Sequence, residues 1–382
     1  MRVHNNVTRR TFIGGLATAL TWAGTKSSVA FPAQSSSGRG RRTPDDYDRM
    51  AKLSFNENPY GPSEIVMKAM TNAFKYSNRY GYPDGGIAEA IANHHGLKPE
   101  NVLLGAGSGE ILKVADDTFL IDHKKVVGVD PTFGSVYQFA VNSRAEAIRI
   151  PLLKDYRMDI PGIIKAVKNN YRDVGFVYVV NPNNPTGNII PKQEIQLLLD
   201  SIPGDVPVLI DEAYHHFVDD PNYATSVPYV IEGRQVIVTR TFSKIAALAG
   251  MRLGYGLAPK ELITRMSPFA NGSINAIVKW GGVAALNDTA TQTWTKKTTL
   301  ALRKKVTDEL TGLGYKVIPS ETNFFMVHVR RDITPVIAEF EKKGVLVGRK
   351  FPPMVEHLRV SIGTAEEMDR FMAAFKEIFK QT

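Results

Sequence analysis

A lysine in the stretch TFSKIAALAGMRLG stands beside hydroxyl side chains and eight residues before an arginine. Lys244 follows the apolar run QVIVTR, and an amine among apolar neighbours has a lowered pKa that makes it a usable nucleophile. The natural partner of such an amine is an aldehyde, with which it forms a Schiff base. Thr241, Ser243 and Arg252 have side chains of the kind that bind phosphate. We therefore predict that Lys244 carries an aldehyde that also bears a phosphate group.

Other chemically useful residues follow apolar runs that we interpret as strands. Asp211 ends VPVLID, and a carboxylate there needs a cationic or N–H partner because burying it unpaired is costly. Tyr214, three residues later, and Asn184, in the turn NPNNPTG, can reach the same space. Phe133 follows the run KVVGVD and can stack on a flat ligand.

The loop GAGSGE opens a predicted helix. Backbone N–H groups at a helix N-terminus, here those of Ser108 and Gly109, are free to bind an anion. The glycine spacing differs from the dinucleotide fingerprint, so the loop indicates a phosphate site of another kind.

One cofactor uses all of these groups together. Asp211 is predicted to keep a ring nitrogen protonated, Tyr214 and Asn184 to meet a phenolic oxygen, and Phe133 to stack on the ring. The predicted phosphate ligands are Ser108, Gly109, Thr241, Ser243 and Arg252. An aldehyde with a ring nitrogen and a phosphate is pyridoxal 5′-phosphate, which pairs a Schiff-base lysine with an acidic partner of the ring nitrogen.

These residues need elements that bring them to one place. Short apolar strands alternate with helices from about residue 85 to 258, which favours a parallel sheet covered on both faces. Ligands of such sheets gather at the carboxyl ends of the strands. Long helical runs follow, and then YKVIPS, NFFMVHV, VLVGRK and LRVSIG read as strands. We predict an α/β fold, with a large domain at 61–258 that has a mostly parallel sheet flanked by helices, and a smaller α+β domain at 259–382.

Composition excludes several classes of function. The 382 residues contain no cysteine, which rules out disulfides, thiolate catalysis and cysteine-bound zinc. Seven basic residues and no acidic ones lie in 1–42, so the net charge of +9 falls to +2 in the remainder. Nearly balanced charge argues against nucleic-acid binding. The adjacent histidines at 94–95 and 215–216 point in different directions, and we predict no metal site.

The N-terminus has the features of an export signal. The segment TRRTFIGG places Arg9 and Arg10 before a mildly apolar run that ends near Trp22, which is shorter than the ~20 residues needed to span a bilayer. Residues 1–30 resemble a twin-arginine signal peptide, and 31–60 are predicted to be a linker and N-terminal arm. The alternative is an amphipathic helix with two chance arginines. We expect an exported, periplasmic protein with no stable membrane insertion.

The motifs GAGSGE, PTF, NPNNPTG, DEAY and SKIAALAGMRLG occur in the order and spacing of fold-type I aminotransferases. The chain resembles this family over about residues 50–380. The segments SFNENPYGP, RYGYPDG, GVLVGRKF and LRVSIG make it most similar to the histidinol-phosphate aminotransferase branch. The resemblance implies the fold of type I enzymes that depend on pyridoxal phosphate.

The resemblance also implies roles for residues outside the strand ends. Arg359 would hold the substrate α-carboxylate by a bidentate pair, assisted by Asn184. Tyr82 would reach across a homodimer to the partner's cofactor phosphate, and Tyr60 would cover the substrate side chain. Arg349 is a candidate for binding a substrate phosphate. A glycine and a lysine flank Arg349 here, whereas the family pattern is nearer to GVLVRDF.

The predicted reaction moves an amino group between an amino acid or histidinol phosphate and a 2-oxo acid. Lys244, Asp211 and Tyr214 are the expected catalytic residues. A lyase, decarboxylase or cyclase on the same scaffold is one alternative, and a non-catalytic cofactor-binding protein of the envelope is another. These residues are compatible with more than one amino donor.

Overall fold

The computed structural model describes residues 43–380. The predicted signal peptide at 1–30 lies outside this range, as does the first part of the predicted linker.

The described strands are listed in chain order: β1 (Ala51–Leu53), β2 (Val102–Gly105), β3 (Lys125–Asp130), β4 (Glu146–Pro151), β5 (Val174–Val180), β6 (Val208–Asp211), β7 (Val236–Thr241), β8 (Gly254–Leu257), β9 (Lys316–Ile318), β10 (Phe324–His328), β11 (Val345–Val347) and β12 (His357–Ser361). The α-helices in the same range are α1 (Pro44–Asp48), α2 (Glu64–Ala73), α3 (Ile87–His95), α4 (Ser108–Phe119), α5 (Ser135–Asn142), α6 (Ile160–Asn169), α7 (Lys192–Ser201), α8 (Val227–Ile231), α9 (Lys260–Met266), α10 (Ala276–Asn287), α11 (Thr289–Gly312), α12 (Ile333–Lys342) and α13 (Ala365–Ile378).

The large sheet has seven strands in the order β2-β8-β7-β6-β5-β3-β4. All neighbours are parallel except at β8, which is antiparallel to both β2 and β7. Nearly every residue of β5, β6 and β7 is buried, as expected for apolar strands with helices on both faces. The predicted α/β fold with a mostly parallel sheet is confirmed.

Strand β8 is absent from our sequence prediction. Its sequence GYGL is short and rich in glycine, which weakens the usual strand pattern. The backbone of β8 passes so close to the first turns of α4 that neither glycine could carry a side chain. A Cβ atom at Gly254 would lie 2.3 Å from the Ser108 nitrogen, and one at Gly256 would lie 2.9 Å from the Ile111 side chain.

The small domain has its own core beneath an antiparallel sheet of order β12-β10-β9. Strand β1 joins this domain by pairing in parallel with β11, in the register Ala51 to Val345. Ala51 and Leu53 have no exposed surface. The linker and arm predicted over 31–60 stay a prediction, and within that range residues 51–53 form a strand that packs in the small-domain core. Three residues are too short a run to show the alternation of a strand.

The two apolar cores divide further along the chain than residues 258–259, and the domain boundary predicted there stays a prediction. Apolar residues of α9 and α10, including Leu262, Met266 and Val278, belong to the core of the large domain. The small-domain core begins along α11, where Val306 and Leu310 are buried. Helical periodicity predicts that α10 has a buried face but does not reveal that α2 and α3 cover it.

Candidate active site

Four neighbouring parallel strands end at one edge of the large sheet. Strand β6 ends at Asp211 and β7 at Thr241, while Asn184 and Phe133 lie in the segments that follow β5 and β3. Val180 pairs with Asp211 and Asp211 with Thr239, so β5 and β6 end level and β7 continues two residues further, to Thr241. The predicted residues therefore meet at the carboxyl edge, where ligands bind in parallel sheets.

Asp211 is a buried carboxyl with one hydrogen bond. It is 2% exposed, and its Oδ1 accepts from the Ala213 N–H at 3.1 Å. Burial raises the pKa of Asp211 to about 7, with Glu212 adding to the effect and the Ala213 N–H and Lys244 opposing it. The second carboxylate oxygen accepts no hydrogen bond from the described part of the chain. This group fits a partner that donates a proton, as a protonated ring nitrogen does.

The Tyr214 hydroxyl accepts two amide hydrogen bonds. Asn56 Nδ2 donates to it at 3.0 Å and Asn184 Nδ2 at 3.4 Å. The ring packs edge-on against Phe324 at a centroid distance of 5.1 Å. Because both amides act as donors, the hydroxyl proton of Tyr214 is left to be donated into the cleft.

Asn56 is a site residue whose contact with Tyr214 we did not predict. Its backbone is left-handed, with φ of 55°, a conformation in which asparagine is enriched. Ser361 Oγ donates to its Oδ1 at 2.9 Å, and Asn323 Nδ2 donates to its carbonyl at 3.0 Å. The arm is thereby fastened to the small domain and to Tyr214. The asparagine-rich turn SFNENP is the sequence signal that could have indicated this role.

Lys244 lies in the loop after β7, with its amine beside the Tyr214 ring at 5.7 Å from the ring centroid. Its Nζ donates to the Phe55 carbonyl at 3.0 Å. Burial lowers the pKa of Lys244 to about 8, and the nearby Arg359 charge contributes. About a tenth of the amine is then neutral at pH 7, far more than at the ordinary lysine pKa, and the neutral form is the nucleophile.

A phosphate cradle forms at the N-terminus of α4. Thr241 Oγ1 donates to Ser243 Oγ at 2.8 Å, and Arg252 Nη1 lies 3.5 Å from the same Ser243 oxygen. Arg252 Nη2 donates at 3.2 Å to the carbonyl that precedes Gly107. Helix α4 begins at Ser108, directly after Gly107, whose φ is 83°. Two hydroxyls, a guanidinium and a helix N-terminus thus converge as a doubly charged phosphate would need.

Arg359 on β12 reaches the same cleft from the small domain. Its Nη1 donates to Asn184 Oδ1 at 2.7 Å and its Nη2 to the Ser54 carbonyl at 2.6 Å. The side chain is buried, and its Nε has no hydrogen-bond partner among the described residues. Burial lowers the pKa of Arg359 to about 10. A buried guanidinium at the cleft is suited to an anionic group of the substrate.

Arg349 lies near Arg359, and both contact the same aromatic ring. The Arg349 guanidinium lies 4.2 Å from the Phe351 centroid and that of Arg359 lies 4.8 Å from it. Arg349 is exposed, and its Nη1 donates to the Lys350 carbonyl at 2.9 Å. Burial of part of its side chain lowers the pKa of Arg349.

Four predicted site residues remain: Tyr60, Tyr82, Gly109 and Phe133. Tyr60 packs edge-on against Trp294 at 4.7 Å. Phe133 is 37% exposed, which leaves its ring available for stacking, and a Cβ atom at Gly109 would have open space around it. The Tyr82 hydroxyl donates to the Ile274 carbonyl at 2.9 Å. The roles given to Tyr82, Phe133 and Tyr60 stay predictions.

Two further properties concern metals and membranes. Within residues 43–380, no three His, Asp or Glu side chains are grouped so as to hold a metal ion. None of the helices in that range combines the length and the apolar character of a membrane span.

The residues present fit pyridoxal phosphate group by group. They supply a buried carboxyl for the ring nitrogen, a hydroxyl for the phenolic oxygen, an amine of lowered pKa for the aldehyde and a cradle for the phosphate. The fold and the site thus define a pyridoxal-phosphate-dependent enzyme of fold type I. The model of the family "Aminotransferase class I and II" matches residues 48–375. The chain belongs to that family, and the predicted aminotransferase activity and cofactor are confirmed.

Relatives within the family agree with this assignment. The histidinol-phosphate aminotransferase of Moorella thermoacetica is 37% identical over 339 residues, which cover 86% of this chain and 85% of that protein. A solved structure from Erwinia carotovora atroseptica, described as a candidate histidinol-phosphate aminotransferase, is 33% identical, with a TM-score of 0.84 over 87% of this chain and 97% of that one. The histidinol-phosphate aminotransferase of Sinorhizobium meliloti, solved with pyridoxal 5′-phosphate, is 23% identical and shares the fold, with a TM-score of 0.81 over 92% of this chain and 99% of that one.

Proposed function

We propose that this aminotransferase takes the amino group of histidinol phosphate and passes it to a 2-oxo acid. The observation that carries the proposal is the pair of guanidinium groups on Phe351, with Arg359 at 4.8 Å and Arg349 at 4.2 Å from the ring centroid. Two positive charges match a phosphate monoester dianion better than a carboxylate monoanion. Histidinol phosphate carries its phosphate where an amino acid carries its carboxylate, and several relatives are named for this donor.

The side chains divide the work by position. Pyridoxal phosphate, when bound, supplies an electron sink for the charge that develops on the substrate carbon. The neutral Lys244 amine takes the proton from the carbon that bears the amino group. Asp211 keeps the ring nitrogen protonated, and Tyr214 donates its hydroxyl proton into the cleft. Arg359 orients the donor through its anionic end.

A donor panel tests the proposal. Single-turnover conversion of the cofactor to its amine form, followed by absorbance, compares histidinol phosphate with histidine, aromatic amino acids and arginine derivatives. The panel is repeated with Arg349→Gln. Loss of one charged hydrogen bond, about 1.5–3 kcal/mol, should slow the histidinol phosphate reaction roughly 10- to 150-fold and change the amino acid reactions far less.

Lys350→Gln is the matched control, because it removes a neighbouring charge that pairs with Asp332 and not with the cleft. It should leave both kinds of donor unaffected. If histidinol phosphate fails to react with the unchanged enzyme, or if Arg349→Gln slows every donor equally, the assignment of the donor is wrong.

An α-amino acid is the second candidate donor. Arg359 Nη1 holds Asn184 Oδ1 at 2.7 Å, and a guanidinium beside an amide is a suitable clamp for a planar carboxylate. In that case one amino acid of the panel reacts faster than histidinol phosphate, and Arg349→Gln leaves its rate unchanged.

We also propose that the chain is exported by the twin-arginine route and acts in the periplasm. The support is the pair Arg9–Arg10 before a glycine-rich, mildly apolar run. Arg9→Lys with Arg10→Lys should leave the protein in the cytoplasmic fraction with its aminotransferase activity intact. Equal export of the unchanged and the double-lysine proteins would refute the proposal.

We further propose that the enzyme works as a homodimer. Large apolar side chains around α2 are exposed, among them Ile65 at 61% and Phe74 at 60%, and exposed apolar surface of this kind marks interfaces. If Tyr82 binds the partner's cofactor phosphate, mixed dimers of Tyr82→Phe and Lys244→Ala subunits should contain one site with both side chains intact. The affinity of that site for pyridoxal phosphate should equal the affinity of a site in the unchanged enzyme. A monomer in sedimentation would exclude this arrangement.

A further inference from the structure

A buried ion pair joins β6 and β7 next to the cofactor residues. Arg240 Nη2 lies 2.7 Å from Glu212 Oε2, and its Nε donates to the same oxygen at 3.2 Å. Glu212 has no exposed side-chain surface and Arg240 has 6%. Glu212 follows Asp211 in the chain and Arg240 precedes Thr241. Because neighbouring residues of a strand point to opposite faces, the pair lies behind the cleft into which Asp211 and Thr241 point.

Both oxygens of Glu212 have hydrogen-bond donors. The Ser226 N–H donates to Oε1 at 2.6 Å, and Thr225 Oγ1 donates to Oε2 at 2.8 Å. Arg240 Nη2 also donates to Thr225 Oγ1 at 2.7 Å. The Glu212 N–H donates to the Thr239 carbonyl at 2.9 Å. The backbone pairing of β6 with β7 therefore continues one residue past Asp211. The ion pair between Glu212 and Arg240 lies at this last paired position.

Among residues 43–380, Glu212 is the one carboxylate that pairs with Arg240. Burial lowers the pKa of four nearby histidines and keeps them neutral; these are His94, His95, His215 and His216. Burial also opposes the charge of Arg240, but Glu212 beside it, with the hydroxyl groups of Tyr255 and Tyr223, raises the pKa of Arg240 overall. Removing the Glu212 charge would leave a buried cation uncompensated, which is strongly destabilising for its surroundings.

We propose that Glu212 and Arg240 are a positioning pair for the cofactor. The pair holds the ends of β6 and β7 in register, so that Asp211 meets the ring nitrogen while Thr241 and Ser243 meet the phosphate. It acts through these residues and does not touch the substrate. The inference rests on the cofactor site and not on the identity of the amino donor.

Cofactor binding without any amino donor is the direct test. Apoprotein of Glu212→Gln is titrated with pyridoxal phosphate, and the absorbance of the bound cofactor is then followed against pH. We expect the Kd for the cofactor to rise at least about tenfold, the scale of one lost charged hydrogen bond. The absorbance midpoint should shift to lower pH, because a negative charge is lost near the cofactor and the Arg240 charge is left unbalanced.

Milder variants keep the test valid if Glu212→Gln does not fold. Thr225→Val removes the hydroxyl between the two charged groups and should shift Kd and midpoint in the same directions by less. Arg240→Lys keeps the charge and should retain more cofactor affinity than Arg240→Gln. With saturating cofactor, each variant should lose kcat while the KM for the donor changes less than about threefold, as for a residue that does not bind substrate.

Arg303→Gln is the control for destabilisation alone. Arg303 is a mostly buried cation in α11 that pairs with Glu321 at 3.8 Å in the small domain. It should lower Tm and leave the cofactor Kd and the absorbance midpoint unchanged. The inference is overturned if Glu212→Gln and Thr225→Val lower Tm in the same way while cofactor affinity and midpoint stay those of the unchanged protein.

Discussion

Replacing Gly107 by alanine tests the phosphate cradle most sharply. A Cβ atom at this position would lie 2.1 Å from Arg252 Nη2 and 2.7 Å from its Cζ, well inside van der Waals contact. The atoms in the way are the far end of a long side chain, whereas the backbone is held by the start of α4. We therefore expect the Arg252 guanidinium to move out of the cradle while the helix stays in place.

The expected loss of cofactor affinity follows from that displacement. One charged hydrogen bond to the phosphate contributes about 1.5–3 kcal/mol, which corresponds to roughly a 10- to 150-fold rise in the Kd for pyridoxal phosphate. The φ of 83° adds backbone strain of about 1–3 kcal/mol. The strain is present with or without the cofactor, so it should lower Tm and leave the Kd ratio nearly unchanged.

Two measurements separate these effects: titration of the apoprotein with cofactor, and thermal unfolding. Gly96→Ala is the matched control, because Gly96 ends α3 with a φ of 67° and a Cβ atom added there would meet no other atom within 4 Å. It should lose stability and keep its cofactor affinity. In an Arg252→Gln background, Gly107→Ala should cost no further affinity. Cofactor binding by Gly107→Ala as tight as that of the unchanged protein would show that Arg252 is not a phosphate ligand.

Three further predictions concern single side chains. Asp211→Asn should retain the cofactor but slow the half-reaction at least about 100-fold, the scale of a lost catalytic charge; a full single-turnover rate would disprove the ring-nitrogen role. Because the pKa of Lys244 is lowered to about 8 and the neutral amine is the attacking form, apoprotein should take up cofactor faster as pH rises through 8, and a midpoint near the ordinary lysine value would contradict the effect of burial. Arg359→Lys cannot reproduce a bidentate pair, so the KM for the 2-oxo acid should rise roughly 10- to 100-fold with cofactor Kd unchanged; equal losses in both would place Arg359 in the cofactor site.

Much of the cofactor site could be predicted from local patterns. Asp211, Thr241 and Phe133 each end or follow an apolar strand, and parallel strands carry their carboxyl ends to one edge. A residue at a strand end is thus placed by its own segment and by a general property of the sheet. The place of Lys244 and Arg252 at this edge could be predicted for the same reason, because both lie in the loop and turn that follow β7.

Local patterns did not reveal contacts between distant segments. Asn56 and Ser361 are 305 residues apart, and no periodicity in either segment indicates the hydrogen bonds between them. The glycines of β8 are explained by the approach of α4, and α9 and α10 are assigned to the large domain by the helices that cover them. In each case the partner belongs to another part of the chain.

The sequence by itself predicted which chemical groups line the carboxyl edge of the sheet, because strand ends, hydroxyl residues and a lysine after an apolar run are local features. The tertiary structure alone decided what holds those groups in place. It brought Asn56 to Tyr214, set Arg349 and Arg359 against one ring, and buried Glu212 with Arg240. The physical reason is that hydrogen bonds and ion pairs depend on distances of a few ångströms between segments, and these distances exist only once both domains have packed.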